Sequence, residues 1–209
     1  MKVCIFGANG RVGQRIVQAL IQKEIDTVAF IHNRNDLTKS DHLQIIRGDI
    51  YNATDVAIAL NDVNVVICTL SSWGSKQKNV LSSAMAIIIP EMKQRQIHRI
   101  ISLTGSDATM INDVDSTFRK MTHHALSMFA GAILRDGEDH IRQLSKSTLD
   151  WTAIRSPIMN NQGSAEFKLS DKPPLLWQTI HRQAVADSIV GQITDNTYFR
   201  QAPYIRRIE

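Results

Sequence analysis

The chain has 209 residues, 43% of them hydrophobic and 21% charged, with two cysteines and a net charge of +4. That is enough to bury one full core at the upper end of single-domain length. Cys4 and Cys68 each sit inside an apolar run, so both read as reduced thiols, which argues against a disulfide scaffold or a zinc site and for the cell interior. No apolar stretch approaches the roughly 20 residues needed to span a bilayer, and no charged stretch precedes a hydrophobic one at the start. The expectation is a soluble cytoplasmic protein, monomer or homodimer. Its basic residues are scattered, the tightest group being Arg200, Arg206 and Arg207. The charge therefore fits a modestly basic surface or a preference for anionic small molecules, and direct nucleic-acid binding is not expected.

The first element is an apolar strand over 3–6, which passes into Gly7-Ala8-Asn9-Gly10-Arg11-Val12-Gly13 and then a helix. Val12, Ile16, Val17, Leu20 and Ile21 recur on one face of that helix, with Gln14, Arg15, Gln18 and Gln22 elsewhere. A strand, a glycine turn and a helix form a cradle for a dinucleotide. Gly7 lets the chain turn, Gly10 lets the backbone approach a pyrophosphate, and Gly13 lets the helix pack close to the sheet. Phosphate then meets free N–H groups at the helix start.

Strands follow over 27–31 and 43–46, then a helix over 55–60, a strand over 65–68 with Val63 leading into it, and a polar stretch over 69–75. A helix is predicted over about 76–96, which Pro90 must kink, break or restart. After a strand over 99–103 comes a helix over 116–146, with interruptions expected around Gly131 and Gly137, and a sixth strand over 150–155 closed by Ser156-Pro157. Short strands over 165–169 and 198–205 flank a last helix over about 182–193. This alternation predicts one α/β domain over 1–209, a doubly wound parallel sheet of the Rossmann type, with about 157–209 forming a small C-terminal lid on the substrate side.

Ligands of such sheets collect at the carboxyl ends of the strands. The candidate cofactor contacts are therefore Gly7, Asn9, Gly10, Arg11, Val12 and Gly13 after the first strand; His32, Asn33 and Arg34 after the second; Asp49 and Ile50 after the third; Thr69, Leu70 and Ser71 after the fourth; Thr104 after the fifth; and Pro157 and Ile158 after the sixth. An NAD-selective site places an acid at the end of the second strand, whereas this chain has His32-Asn33-Arg34. Arg34, joined by Arg11, suits a 2′-phosphate, so NADP (NADPH) is expected over NAD. Asp49 is placed either to bond an adenine amino group or to cap the next helix.

The order of elements, the Gly-x-x-Gly-x-x-Gly turn, the Gly48-Asp49 pair, the segment Asp139-His140-Ile141-Arg142 and the run 149–157 together resemble the atypical short-chain dehydrogenase/reductase superfamily. Within it the chain is most similar to the NmrA-like and biliverdin reductase B (flavin reductase)-like group. The resemblance implies a Rossmann domain that binds NADP with its nicotinamide near residues 104–106 and 157–158. Two positions depart from the pattern: Gly105 stands where related reductases carry a serine, and Ile158 where they carry a histidine.

The Tyr-x-x-x-Lys pair of alcohol-oxidising members is missing, because Asp55, Ala202 and Ile208 follow Tyr51, Tyr198 and Tyr204 at that spacing. A flavin or quinone acceptor relaxes the need for that acid. Thr104 and Ser106 either stand near the nicotinamide or hold a turn. His123 is a candidate acid near neutral pH, although its neighbour His124 points about 100° away on a helix and both also suit a surface; no third or fourth ligand makes the pair a metal site. Trp73 is placed to stack on a flat ring, with Met121 and Ile158 lining a substrate pocket, while Trp151 and Trp177 are expected to pack in the core or lid. Met121, Met128 and Phe129 suit the apolar side of a substrate pocket and equally a core face. The leading expectation is an NADPH-dependent reductase of a flat conjugated small molecule. The alternatives are an NADP-binding redox sensor with a protein partner, as in NmrA-like proteins, and an isomerase or epimerase with tightly held cofactor.

Overall fold

The computed structural model describes residues 1–209 except 34, 74, 111, 112, 114–116, 176 and 209, with the backbone alone at 117–122, 125, 126 and 129. Strand β1 (Lys2–Phe6) leads into helix α1 (Gly13–Gln22), then β2 (Asp26–Ile31), β3 (Leu43–Arg47), α2 (Ala53–Ala59), β4 (Val65–Cys68), α3 (Val80–Gln94) and β5 (Arg99–Gly105). Helix α4 (Thr117–Lys146) and β6 (Asp150–Ser156) follow. The last part holds β7 (Met159–Asn160), β8 (Phe167–Ser170), β9 (Ile180–His181), α5 (Arg182–Gly191) and β10 (Tyr204–Arg207).

Eight strands form one sheet in the order β3-β2-β1-β4-β5-β6-β10-β8. All neighbours are parallel except β10 and β8. The first six strands thus take the doubly wound Rossmann order expected from the sequence, with the reversal between β1 and β4.

Side chains on successive strand residues face opposite sides, and the two cores divide accordingly. Cys4, Phe6, Val66 and Cys68 join Val56, Met85, Ile88, Met92, Ile141 and Leu144 of α2, α3 and α4 on one face. Val3, Ile5, Val65 and Ile67 join Ile16, Val17 and Leu20 of α1 and Ala184, Val185 and Ile189 of α5 on the other. Each fully buried Ile or Leu here contributes roughly 1.5–3 kcal/mol. Burial raises both thiols, Cys68 to about 12, so both stay neutral.

Several details differ from the sequence reading. Pro90 lies inside α3 without ending it: Pro90 and Ala86 are both exposed, so the carbonyl that the ring deprives of a partner is on the side of water. α4 breaks at Ala130 (φ −131°, ψ 23°) beside Gly131, but Gly137 does not interrupt it. A Cβ at Gly137 would stand 2.6 Å from Thr104 Oγ1 and 3.1 Å from Ala108 Cβ, so this glycine lets α4 press against the end of β5. The segment past β6 places β8 and β10 at the sheet edge and α5 beside α1. β10 begins at Tyr204, and residues 198–200 form a turn rather than the start of a strand. α5 is capped by His181 Nδ1, which accepts from Gln183 N at 3.1 Å. Its C-terminal Gln192 carbonyl accepts from Arg99 Nη2 at 2.6 Å.

Candidate active site

β1 and β4 end side by side, Phe6 opposite Cys68, so the two turns that follow them wall one crevice. Gly7 adopts φ +87°, and Gly10 N donates to the Gly7 carbonyl at 3.0 Å, closing the turn. A Cβ on Gly13 would lie 2.2 Å from Gly7 O and 2.8 Å from Ala8 O. Only glycine lets α1 start directly on this turn. The helix has no side-chain cap on Val12 and no acid in its first turn, and the amides of Arg11 and Val12 meet no acceptor among the described residues. The turn thus fits the diphosphate of a dinucleotide: its donors are unspent and its Cβ space is filled by backbone.

The neighbouring turns are tied to it. Asn9 Oδ1 accepts from Asp36 N at 3.1 Å, and the Asn9 carbonyl from Gln14 Nε2 at 3.1 Å. His32 and Asn33 are exposed beside this link; Arg34 lies outside the described residues. Asp49 does not cap α2. That cap is Asn52, whose Oδ1 accepts from Thr54 N at 2.9 Å, while Asp49 Oδ1 accepts from Tyr51 N at 3.0 Å in a tight turn. Ile50 packs partly buried against the core. Thr69 N donates to Phe6 O at 2.9 Å, Leu70 rests on the core, and Ser71 Oγ accepts from Trp73 N at 3.2 Å. Trp73 itself is 69% exposed.

The strongest polar knot here was not foreseen. Asp136 of α4 is buried and acts as a cap for the distant helix α3: its carboxylate accepts from Leu81 N at 3.0 Å, Ser82 N at 2.8 Å, Ser82 Oγ at 2.6 Å and the Ser72 hydroxyl. Ser72 Oγ in turn accepts from Val80 N at 3.1 Å. One carboxylate therefore joins the turn after β4, the start of α3 and the middle of α4.

At the end of β5, Thr104 lies against Gly137, Gly105 is exposed with open space where a side chain would stand, and Ser106 N donates to Ser156 O at 2.8 Å. His123 Nε2 is 2.9 Å from Glu138 Oε1, which also accepts from Thr109 Oγ1 at 2.6 Å. A carboxylate only accepts, so the proton sits on Nε2 and leaves Nδ1 as the second ring nitrogen. His124 is exposed, and Met128 is 74% exposed rather than part of a core face; the side chains of Met121 and Phe129 lie outside the described residues. Arg155 is buried in β6 with its guanidinium on the Asp113 carboxylate, on the Ala202 carbonyl at 2.8 Å and 3.7 Å from the Tyr204 ring centre. It anchors the loop that follows β5. Pro157 is buried, and Ile158 is 77% exposed. Trp151 is core, whereas Trp177, in the segment expected to form the lid, is 77% exposed and not packed there: it lies in a turn closed by Gln178 N on Leu175 O, 2.9 Å.

Beneath the site, His140 is buried with Nε2 2.9 Å from Ser102 Oγ, and burial pushes its imidazole down to about 4 while nearby Asp136 opposes the shift. The folded state therefore binds this proton less readily than the unfolded chain. Stability from this group is complete above pH 6.5 and is lost as the pH falls toward 4, by up to about 3 kcal/mol. Urea titrations at pH 7 and pH 4.5 are expected to show the loss, and His140→Gln to reduce it.

The model of the NAD(P)H-binding family matches residues 7–196. The chain belongs to that family. No curated protein matches it in sequence. Solved structures share the fold. A short-chain dehydrogenase/reductase from Veillonella parvula in complex with NADP has 16% identity and a TM-score of 0.78, covering 99% of this chain and 94% of that one. An oxidoreductase from Lactococcus lactis has 15% identity and a TM-score of 0.81, with 100% and 92% covered. An anaerobillin reductase from Escherichia coli O157:H7 has 19% identity and a TM-score of 0.76, with 100% and 98% covered.

Proposed function

We propose that the chain is a reductase that uses NADPH to reduce a flat conjugated small molecule such as a flavin or quinone. The observation that carries this reading is the pairing of an uncapped glycine-turn cradle with large apolar side chains left exposed at the same strand ends, Trp73 and Ile158. The anaerobillin reductase from Escherichia coli that shares this fold is in keeping with it. When bound, the nicotinamide supplies hydride.

The residues of this chain then divide the work. The amides of Arg11 and Val12 and the turn over 7–13 hold phosphate, Asp49 and Ile50 border the adenine, and Arg34 with Arg11 takes the 2′-phosphate. Thr69, Leu70, Ser71, Thr104, Pro157 and Ile158 border the nicotinamide half, and Ser106 holds the turn beside it through Ser156. Trp73, Ile158 and Met121 take the acceptor ring. In its imidazolium form His123, held through Nε2–H by Glu138, passes its Nδ1 proton to the reduced acceptor anion, becomes the neutral Nε2–H tautomer and is reprotonated at Nδ1 from solvent.

The test is calorimetric titration with NADPH and NADH, followed in the same sample by loss of the reduced-nicotinamide absorbance on adding flavins and quinones. Tight binding with acceptor-dependent oxidation is expected, with Arg34→Ala weakening NADPH about tenfold more than NADH, a difference of about 1.4 kcal/mol. Binding without oxidation of NADPH by any acceptor overturns the reductase reading, and equal losses for the two nucleotides overturn the 2′-phosphate contact.

A further inference from the structure

Beside the glycine turn, arginines gather that no carboxylate among the described residues pairs with. Arg11 immediately precedes the start of α1 and Arg15 lies in its first turn, with Arg15 Nη1 donating to the Arg11 carbonyl at 2.5 Å. Arg182, 167 positions later, is the first residue of α5. The two helices bring their guanidiniums to one neutral atom: Asn161 Oδ1 accepts from Arg182 Nη1 at 2.9 Å and from Arg15 Nη2 at 3.3 Å. Arg182 Nη2 also donates to the Met159 carbonyl at 2.7 Å. Among the described residues, no carboxylate forms an ion pair with Arg11, Arg15 or Arg182, although the arginines at 95, 142, 155 and 200 all have such partners.

Like charges fastened to a single amide oxygen repel, and the pKa of Arg182 is lowered by burial and then by Arg11 and Arg15. Each guanidinium has five N–H donors. Arg15 and Arg182 spend two apiece on the bonds above, so each keeps three for a ligand. Planar forks with unspent donors recognise oxyanions, and an anion placed here would also relieve the repulsion. The site lies next to the free amides of Arg11 and Val12 on one side and, through Met159 and Asn161, next to the segment that follows Pro157 and Ile158 on the other.

We propose that Arg15 and Arg182, spaced by Asn161, form an oxyanion site that takes a phosphate or carboxylate and clasps the first helix to the segment after β6. The identity of its natural ligand rests on the reductase reading: it is either the diphosphate of the nucleotide or a carboxylate of the acceptor. The site itself does not depend on that reading.

The experiment is calorimetric titration of the full chain with inorganic diphosphate and with citrate. It compares wild type with Arg182→Met, Arg15→Met and the remote control Lys146→Met, each checked for folding by circular dichroism. Arg15→Met leaves α5 intact, so it keeps the test open where Arg182→Met fails to fold. Wild type and the Lys146 variant are expected to bind alike, with at least tenfold weaker binding in both arginine variants. A parallel tenfold loss for NADPH assigns the site to the nucleotide. Unchanged NADPH affinity, with a tenfold higher KM for a carboxylated acceptor than for its uncharged analogue, assigns it to the acceptor. Diphosphate and citrate isotherms unchanged in folded variants overturn the proposal. Wild type that binds diphosphate but neither NADPH nor NADH overturns the reductase reading while leaving the oxyanion site standing.

Discussion

Asp136→Ala is expected to lower the free energy of unfolding by about 3 kcal/mol, because buried donors around it would lose their acceptor and helix α3 would lose its cap. Ser72, Leu81 and Ser82 all give hydrogen bonds to this carboxylate, and Asn79, at the cap position of α3, makes no side-chain capping bond of its own. In a chain of this length the loss corresponds to a melting midpoint lower by roughly 6–12 °C. Asp136→Asn keeps one acceptor oxygen and should fall between wild type and Asp136→Ala. Urea unfolding with an unchanged denaturant slope is the measurement, and a loss under about 1 kcal/mol for the alanine variant would show that the cap is dispensable. Because the same carboxylate holds the turn that carries Ser71 and Trp73, the variant should also raise KM for the acceptor.

Gly13→Ala is expected to cost about 1–3 kcal/mol of stability by overpacking and to weaken NADPH binding at least tenfold. The added methyl would press into the carbonyls of Gly7 and Ala8, which are backbone and cannot rotate aside. α1 must then move off the turn, taking the amides of Arg11 and Val12 with it. Gly191→Ala is the matched control, since a Cβ there meets nothing within 4 Å; it should keep full binding. Unweakened NADPH binding by Gly13→Ala would overturn the assignment of the nucleotide to this turn.

Much of the fold is legible along the chain because its signals are local. An apolar run such as 3–6, a glycine turn and a 3.6-residue period in α1 each arise within a few residues, and their repetition requires a parallel sheet wound on both sides. The same locality explains the misreadings. Gly137 carries the helix-breaking signal of any glycine, yet its missing side chain serves contact with Thr104 on a strand more than 30 positions earlier. Asp49 looks like a cap because it precedes a helix, but Asn52 is nearer the first turn and takes the bond. Trp177 has the apolar surface of a residue that packs in a core or lid, and only the placement of its turn leaves it in solvent.

The polar site was less legible, since its bonds span long separations. Asp136 caps a helix that starts 56 residues before it, Glu138 holds His123 and Thr109 from α4, Arg155 reaches back to Asp113, and Asn161 unites arginines from the first and last helices. The one local hint was an Asp-Gly-Glu triplet inside an otherwise helical pattern. By itself the sequence determined the class of fold, the succession of its first six strands along the chain and the position of the glycine turn, because backbone propensity and hydrophobic period act between near neighbours. Which carboxylate meets which hydroxyl, imidazole or guanidinium was decided only by the tertiary structure, because such bonds depend on an approach of a few ångströms between segments whose separation along the chain leaves no periodic trace.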